Sequence, residues 1–239
     1  MVMEYLVIIL ICVITIVVLK IGFNVKIKDV KKIKEIGTDK SLNEIANKFP
    51  ENRQICERIL EKLDNKSVEI EENEETKTSL FLVMTNKIII AKIKDSFTRI
   101  QTIAHECLHS VQSRRILLFN FIFSNIFLLS FIVFLVLIFF RAGNTMIYIE
   151  AFTLLALIYL SIRGYIEIEA MGKAKYIAKE YMYEYAKEDE KVTKEDIDLL
   201  VDNFENLNKI GIPLTNFWLA AITILKIIIL AVIAFIVDF

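Results

Sequence analysis

The stretch I-Q-T-I-A-H-E-C-L-H-S-V-Q-S-R-R, residues 100–115, contains both histidines of the chain. They stand in the pattern H-E-x-x-H, as His105 and His109. Residues four apart on a helix lie one turn apart on the same face, so the two imidazoles can bind one zinc ion. Glu106, beside the first histidine, can then take a proton from a zinc-bound water molecule. The stretch therefore predicts a metal site on a helix.

The residues around this motif have the spacing of an amphipathic helix. One apolar stripe is formed by Phe97, Ile100, Ala104, Cys107, Leu108 and Val111. The opposite, polar face carries Gln101, Thr102, His105, His109 and Gln112. Ser96 is suited to the N-cap position. An ordinary amphipathic helix with two surface histidines would show the same stripe, but the clean separation of the two faces favours the metal site.

Four long apolar runs, residues 5–19, 116–140, 146–162 and 217–237, surround the polar parts of the chain. Each has, or nearly has, the length of about 20 residues that a membrane-spanning helix needs. The first run is preceded by Glu4 and by no lysine or arginine, and no small-residue cleavage site follows it. A retained N-terminal anchor is therefore expected rather than a signal peptide.

Basic residues are concentrated at one end of each predicted span. They include the lysines of residues 20–34, Arg114, Arg115, Arg163 and Lys209. Because lysine and arginine favour the cytoplasmic side, the N-terminus is expected outside the cell and both larger polar regions in the cytoplasm. The lysines of residues 20–34 would also touch anionic lipid heads.

The remaining composition argues against other classes of protein. A net charge of −1 and the lack of a basic and aromatic motif give no reason to expect a nucleic-acid partner. Cys12, Cys56 and Cys107 form no C-x-x-C pair, which fits a reducing compartment without structural disulfides.

Residues 69–93 lead into the motif helix. The acidic run at residues 69–75 is expected to be a solvated loop. Residues 78–84 and 87–93 have the composition of strands, and Thr85 and Asn86 between them suggest a tight hairpin. We expect residues 87–93 to be an edge strand that could bind an extended peptide through main-chain hydrogen bonds. Near the other end of the chain, residues 193–207 predict a separate helix, and residues 211–213 are expected to break the chain before the fourth span.

The second and third spans must form a helical hairpin, which returns the chain to the motif helix just after Arg163. Zinc held by two histidines needs a third protein ligand, and with no other histidine a carboxylate is the natural choice. Glu167 and Glu169 are placed there. Being two residues apart on a helix, they point about 200° apart, so only one of them is expected to face the metal. Both would otherwise be ordinary surface carboxylates.

Residues 104–112 (A-H-E-C-L-H-S-V-Q) and 166–170 (I-E-I-E-A), with the order of the spans around them, carry a family resemblance. The chain resembles the bacterial membrane-bound neutral zinc metallopeptidases. These are similar in layout to the membrane gluzincins that include the CAAX prenyl proteases and the heat-shock membrane proteases. The resemblance implies that His105, His109 and Glu167 bind one Zn²⁺ per chain and that Glu106 is the catalytic base.

Two positions depart from the family pattern. Leu108 stands where the family usually has glycine, and Met171 stands where the related proteases have an aspartate that orients a zinc histidine. The partner that fixes the imidazole tautomer is therefore not given by the resemblance, and Glu169 is a candidate. Tyr165, Tyr176, Tyr181 and Arg163 are candidates for a donor to the oxyanion.

The expected fold is a mainly α integral membrane protein with four transmembrane helices and a small cytosolic α+β, zincin-like catalytic part. The expected segments are an N-terminal transmembrane anchor (1–23), a cytosolic part with the motif helix (24–115), a transmembrane hairpin (116–162), cytosolic helices with the third zinc ligand (163–216) and a C-terminal transmembrane helix (217–239). The expected function is that of a multi-pass zinc metalloendopeptidase of the bacterial cell membrane, which hydrolyses peptide or membrane-protein substrates at the cytoplasmic surface.

Two alternatives compete with this function. An inactive homologue could serve as a membrane scaffold or binding module, but such a protein has no need of Glu106. An intramembrane protease would carry its motif inside a span. Polar flanks argue against that position, because they place the motif at the membrane surface: Arg99, Gln101, Gln112, Arg114 and Arg115.

Overall fold

A computed structural model describes residues 2–73, 75–76, 78–91 and 96–239. These residues are mainly helical with a small sheet, and four of their helices are suited to crossing a membrane, as the sequence predicts. The helices are α1 (Val2–Gly22), α2 (Ile27–Gly37), α3 (Lys40–Ala46), α4 (Asn52–Lys62), α5 (Arg99–Val111), α6 (Arg114–Phe139), α7 (Thr145–Tyr185) and α8 (Lys194–Asp238). The strands are β1 (Glu69–Asn73), β2 (Leu80–Leu82) and β3 (Lys87–Ala91).

The chain forms two compact units. The apolar unit comprises Met1–Val25, Phe119–Tyr165 and Pro213–Phe239. The mixed unit comprises Lys26–Leu118 and Ile166–Ile212.

In the apolar unit, parts of α1, α6, α7 and α8 carry the four runs that are long and apolar enough to cross a membrane. Aromatic side chains pack inside this unit, where the rings of Phe127 and Phe152 stack with centroids 4.9 Å apart. The outward apolar side chains are largely exposed; Leu129, for example, is 61% exposed. A surface of this kind is unfavourable in water and suited to a lipid bilayer.

The mixed unit contains a three-stranded sheet in the order β1-β3-β2. β1 is parallel to β3, with Glu69 opposite Lys87, and β2 is antiparallel to β3, with Phe81 opposite Ile88. The predicted pairing of β2 and β3 is therefore confirmed. Their connection is four residues long, 83–86, rather than two, and it ends on Asn86 with a φ of 53°.

Two predictions about this sheet are wrong. The acidic run expected to be a loop forms β1, because Lys87 on β3 lies 3.1 Å from Glu69 and 2.8 Å from Glu71 and offsets their charge. The strand expected at the edge, β3, is the central strand, so its main-chain groups are already paired on both sides. Residues 92 and 93 of that predicted strand lie outside the described residues.

The predicted chain break at residues 211–213 is also wrong, because α8 continues through Pro213. Proline removes one helical hydrogen bond and tends to kink a helix, but it need not end one that is held by packing on both sides. Phe204 before Pro213 and Phe217 after it are both buried.

Helix α5 lies in the core of the mixed unit. Its apolar stripe is buried at Ile100, Ala104 and Cys107, as the spacing predicts. It packs on α4, and the ring of Phe97, just before α5, stacks on Phe204 of α8. The helix begins at Arg99 with Thr98 as its N-cap, rather than Ser96 as predicted.

Candidate metal centre

Helices α5 and α7 bring three potential metal ligands together. His105 and His109 lie one turn apart on α5, with their Nε2 atoms 3.0 Å apart. Glu167 on α7 places its Oε2 atom 3.4 Å from Nε2 of His105 and 3.8 Å from Nε2 of His109. His105, His109 and Glu167 therefore form a triangle of nitrogen and oxygen donors.

The size of this triangle suits a zinc ion. Zinc binds histidine nitrogen and carboxylate oxygen at about 2.0–2.2 Å, usually with tetrahedral geometry, so two of its ligand atoms lie about 3.4 Å apart. The three observed separations lie on both sides of that value. Two histidines and one glutamate are also an established donor set for catalytic zinc, one that keeps a fourth position for a substrate or water.

Glu106 lies beside the triangle and is nearly buried, with 8% of its surface exposed. Its Oε2 atom accepts a hydrogen bond of 2.7 Å from the backbone N–H of Phe81 on the edge strand β2. Burial raises the pKa of the Glu106 carboxyl above its ordinary value; the neighbouring histidines and the Phe81 N–H oppose that rise but do not cancel it. A carboxylate in this setting is a better proton acceptor than an exposed one.

The pKa of His109 is shifted as well. Burial by itself would lower it, but the carboxylate of Glu167 and the side chain of Gln112 outweigh burial and raise the pKa of the ring. The protonated form of His109 is therefore stabilised in this candidate site.

Gln112 lies next to His109, although its position on the polar face of the predicted helix gives it no role in the site. It is the C-cap of α5, and its Oε1 atom lies 2.8 Å from Nδ1 of His109. Its Nε2 atom donates to the backbone oxygen of Ile166 at 3.0 Å and to Oε2 of Glu169 at 2.9 Å. The signal that could have found it is its position, three residues after the second histidine on the ligand face of the helix.

Glu169 has a different environment from Glu167. Its carboxylate accepts hydrogen bonds from Gln112, at 2.9 Å, and from Nζ of Lys173, at 2.8 Å; neither donor belongs to a histidine. Of the two glutamates that the sequence left as alternatives, Glu167 is the one that lies against both histidines.

Other residues named from the sequence lie away from the donor triangle. Tyr181 is buried in the core, near Phe49, which removes it as an oxyanion donor. The thiol of Cys107 lies on the apolar side of α5, 3.6 Å from the sulfur of Cys56, and burial raises its pKa well above the usual range. Cys107 therefore acts as a small core side chain, as expected for the apolar face.

Comparison of the chain with models of protein families, with curated proteins and with solved structures finds no match.

Proposed function

We propose that the protein is a zinc-dependent metalloendopeptidase of the membrane. The observation that carries this proposal is the donor triangle of His105, His109 and Glu167 with the buried carboxylate of Glu106 beside it. Metal ligands and a neighbouring proton acceptor are the minimum that zinc-assisted hydrolysis requires. We also propose that the mixed unit is zincin-like and that the chain belongs with the bacterial membrane-bound neutral zinc metallopeptidases that it resembles.

His105, His109 and Glu167 would hold the ion. A zinc ion bound there would polarise the scissile carbonyl and lower the pKa of a water molecule to about 7.

Glu106 moves the proton in this proposal. As the oxygen of the attacking water forms its bond to the carbonyl carbon, Glu106 accepts a proton from that water. As the bond between carbon and nitrogen breaks, Glu106 gives the proton to the leaving amine. The Phe81 N–H holds Oε2, so the carboxylate stays in one orientation while its other oxygen takes part in proton transfer.

The strand β2 is the candidate for substrate binding, in place of β3. It is an edge of the sheet, and the N–H of Phe81 is directed to Glu106 rather than to β3. An extended peptide lying along this edge would have its main chain next to the proposed base. Recognition through main-chain groups would accept many sequences, because every peptide offers the same donors and acceptors.

The four apolar helices support placement in a lipid bilayer. The distribution of lysine and arginine supports a cytoplasmic position for the mixed unit, with the N-terminus outside the cell. The substrate class would then be a peptide or a segment of a membrane protein at the cytoplasmic face.

The burial of Glu106 favours an enzyme over an inactive scaffold. Placing a carboxylate in the core, where its pKa is raised, costs stability unless several donors satisfy it. Enzymes accept such a cost at catalytic groups, whereas a binding module gains nothing from it.

The test is zinc-dependent cleavage of a peptide library by the full chain reconstituted in lipid vesicles, with the products read by mass spectrometry. We expect cleavage that a chelator abolishes and added zinc restores. Glu106→Gln should lower the rate by about 10²–10⁴, because an amide cannot accept the proton.

Glu57→Gln is the matched control, since Glu57 is an exposed glutamate that pairs with Arg53. It should leave the rate unchanged. Equal cleavage by the parent and Glu106→Gln, or no zinc-dependent cleavage by the parent, would contradict the proposal.

A further inference from the structure

The side chain of Gln112 connects the two helices that carry the metal ligands. On one side it contacts Nδ1 of His109, and on the other it donates to Ile166 and Glu169, which flank Glu167 along α7. One amide therefore touches the ring of one proposed ligand and the helical turn that carries another.

The direction of these hydrogen bonds fixes the state of His109. Because the Gln112 amide nitrogen donates to two oxygens, its Oε1 atom is the group that faces Nδ1 of His109. A carbonyl oxygen only accepts, so Nδ1 must carry the hydrogen. In a neutral imidazole the other nitrogen, Nε2, then has its lone pair free, and this is the atom that faces His105 and Glu167.

We infer that Gln112 is a positioning residue that holds His109 in the tautomer able to bind a metal. The inference rests on the proposed function, since the metal site is part of that proposal. In the related proteases an aspartate orients a zinc histidine, and this chain has Met171 at the position of that aspartate. Gln112 would take over the role of that aspartate from a different position.

Glu169 and Lys173 complete the arrangement. Glu169 accepts from the Gln112 amide nitrogen and is itself paired with Lys173. These contacts keep the Gln112 amide from rotating by 180°, which would present its NH₂ group to His109 and reverse the tautomer. Glu169 thus acts on the metal site through Gln112.

The same geometry assigns the tautomer of His105. The Nε2 atoms of the two rings lie 3.0 Å apart. If Nε2 of His109 is the acceptor, Nε2 of His105 carries the hydrogen in the metal-free, neutral protein. The two histidines are therefore expected to have opposite tautomers.

Nuclear magnetic resonance of the full chain in detergent micelles tests this directly. With ¹⁵N-labelled histidine only two rings give signals, because the chain has two histidines. In the metal-free protein at about pH 9, well above the ordinary histidine pKa of about 6.5, we expect one ring with its hydrogen on Nδ1 and one with it on Nε2. His105→Ala removes one set of signals and assigns the other.

Three variants distinguish a specific effect of Gln112 on the His109 tautomer from a general loss of structure. Gln112→Met keeps the length of the side chain but offers no acceptor, and it should shift His109 toward a mixture of tautomers. Gln112→Glu, made together with Glu169→Gln so that two carboxylates do not face each other, keeps an acceptor for Nδ1–H and should retain the Nδ1 tautomer. Gln101→Met is the matched control, since Gln101 lies on the same face of α5 but bonds to Asn208. It should leave the spectrum of His109 unchanged.

A second readout is zinc affinity, measured by competition with a chelator. We expect Gln112→Met to weaken zinc binding by about 10–100-fold, the range found when partners of a metal-bound histidine are removed. Gln101→Met should bind as the parent does. Unchanged affinity together with an unchanged His109 tautomer in Gln112→Met would overturn the inference.

The two proposals can fail separately. A parent protein that binds no zinc but has His109 in the Nδ1 tautomer, lost in Gln112→Met, would refute the metal site and support the positioning role. A parent that binds zinc with His109 hydrogenated on Nε2 in the metal-free state would refute the positioning role alone.

Discussion

Helix α5 buries two charged side chains seven residues apart, Arg99 and Glu106, which differ in the number of hydrogen bonds they form. Near its start, Arg99 is 6% exposed, and its two terminal nitrogens donate to the backbone oxygens of Ala46, Phe49 and Pro50 and to Oδ1 of Asn52. In the middle of the helix, Glu106 is about as buried, but among the described residues it accepts one hydrogen bond, from Phe81.

The number of hydrogen-bond partners is consistent with a structural role for Arg99 and with the proton-transfer role that we propose for Glu106. The terminal nitrogens of Arg99 fix the turn between α3 and α4 against the start of α5, so its role is to hold the fold. The carboxylate of Glu106 accepts only the Phe81 hydrogen bond among the described residues, so some of its oxygen lone pairs have no protein donor there. Its raised pKa makes it a better proton acceptor than an exposed glutamate. The number of hydrogen-bond partners therefore distinguishes Arg99, which stabilises the fold, from Glu106, which is the proposed proton acceptor.

Replacing Arg99 should produce the largest effect. Arg99→Met removes the donors of four hydrogen bonds to buried or partly buried acceptors, so we expect a loss of about 3–5 kcal/mol in the free energy of unfolding. Chemical denaturation of the detergent-solubilised protein measures it. Arg53→Met is the control, because Arg53 forms an exposed pair with Glu57 and should cost less than about 1 kcal/mol. Equal losses in the two variants would remove the distinction made for Arg99.

Removing the Phe81 N–H that donates to Glu106 should have a smaller effect, and this effect should be on the rate of catalysis. Phe81→Pro deletes the N–H that holds the carboxylate, and proline is tolerated on an edge strand where that N–H is not part of the ladder. We expect the rate of zinc-dependent peptide cleavage to fall about 10–100-fold, since hydrogen bonds to charged groups are worth about 1.5–3 kcal/mol.

Phe81→Ala keeps the N–H while removing the ring, and it serves as the control for this experiment. The cleavage rate of Phe81→Ala should stay within about threefold of the parent. Identical rates for the proline and alanine variants would show that the hydrogen bond does not position the base.

The smallest expected effect is a gain in stability. Glu106 has a pKa raised by burial, so its ionised form is disfavoured in the folded protein, and stability falls as the pH rises from the unfolded pKa toward the folded one. Glu106→Gln removes this charge, and an amide oxygen can still accept from Phe81. In calorimetry at neutral pH, the metal-free variant should unfold about 2–4 °C higher than the metal-free parent, the shift that about 1 kcal/mol gives in a chain of this size.

That gain should disappear in acid. Below the ordinary carboxyl pKa of about 4.3, Glu106 is protonated in both the folded and unfolded parent, so the variant and parent should unfold at nearly the same temperature. A variant less stable than the parent at neutral pH would contradict the view that the buried charge is a cost.

The sequence predicts well the features that depend on local spacing. The helical periodicity around His105 and His109 places both histidines on one face, and the long apolar runs predict the four apolar helices. The order of the spans returns the chain to the motif helix at Glu167 and Glu169, and only the family resemblance favours Glu167 of the two.

The features that the sequence misses depend on partners distant along the chain. The sequence predicts Arg99 in a polar flank, yet Arg99 is buried, because its acceptors are main-chain oxygens about 50 residues earlier that have no sequence signature. The acidic strand β1 depends in the same way on Lys87. Gln112 has no role until the α7 contacts at Ile166 and Glu169 are known.

The zinc content of the detergent-purified full chain tests the central claim most directly, with Glu167→Ala and Glu169→Ala measured alongside. We expect about one zinc ion per chain in the parent and none in Glu167→Ala. Glu169→Ala should also contain about one zinc ion, bound less tightly because Gln112 has lost a partner. A parent that contains no zinc even after reconstitution with the metal, or a Glu167→Ala variant that retains it, would contradict a zinc site formed by His105, His109 and Glu167.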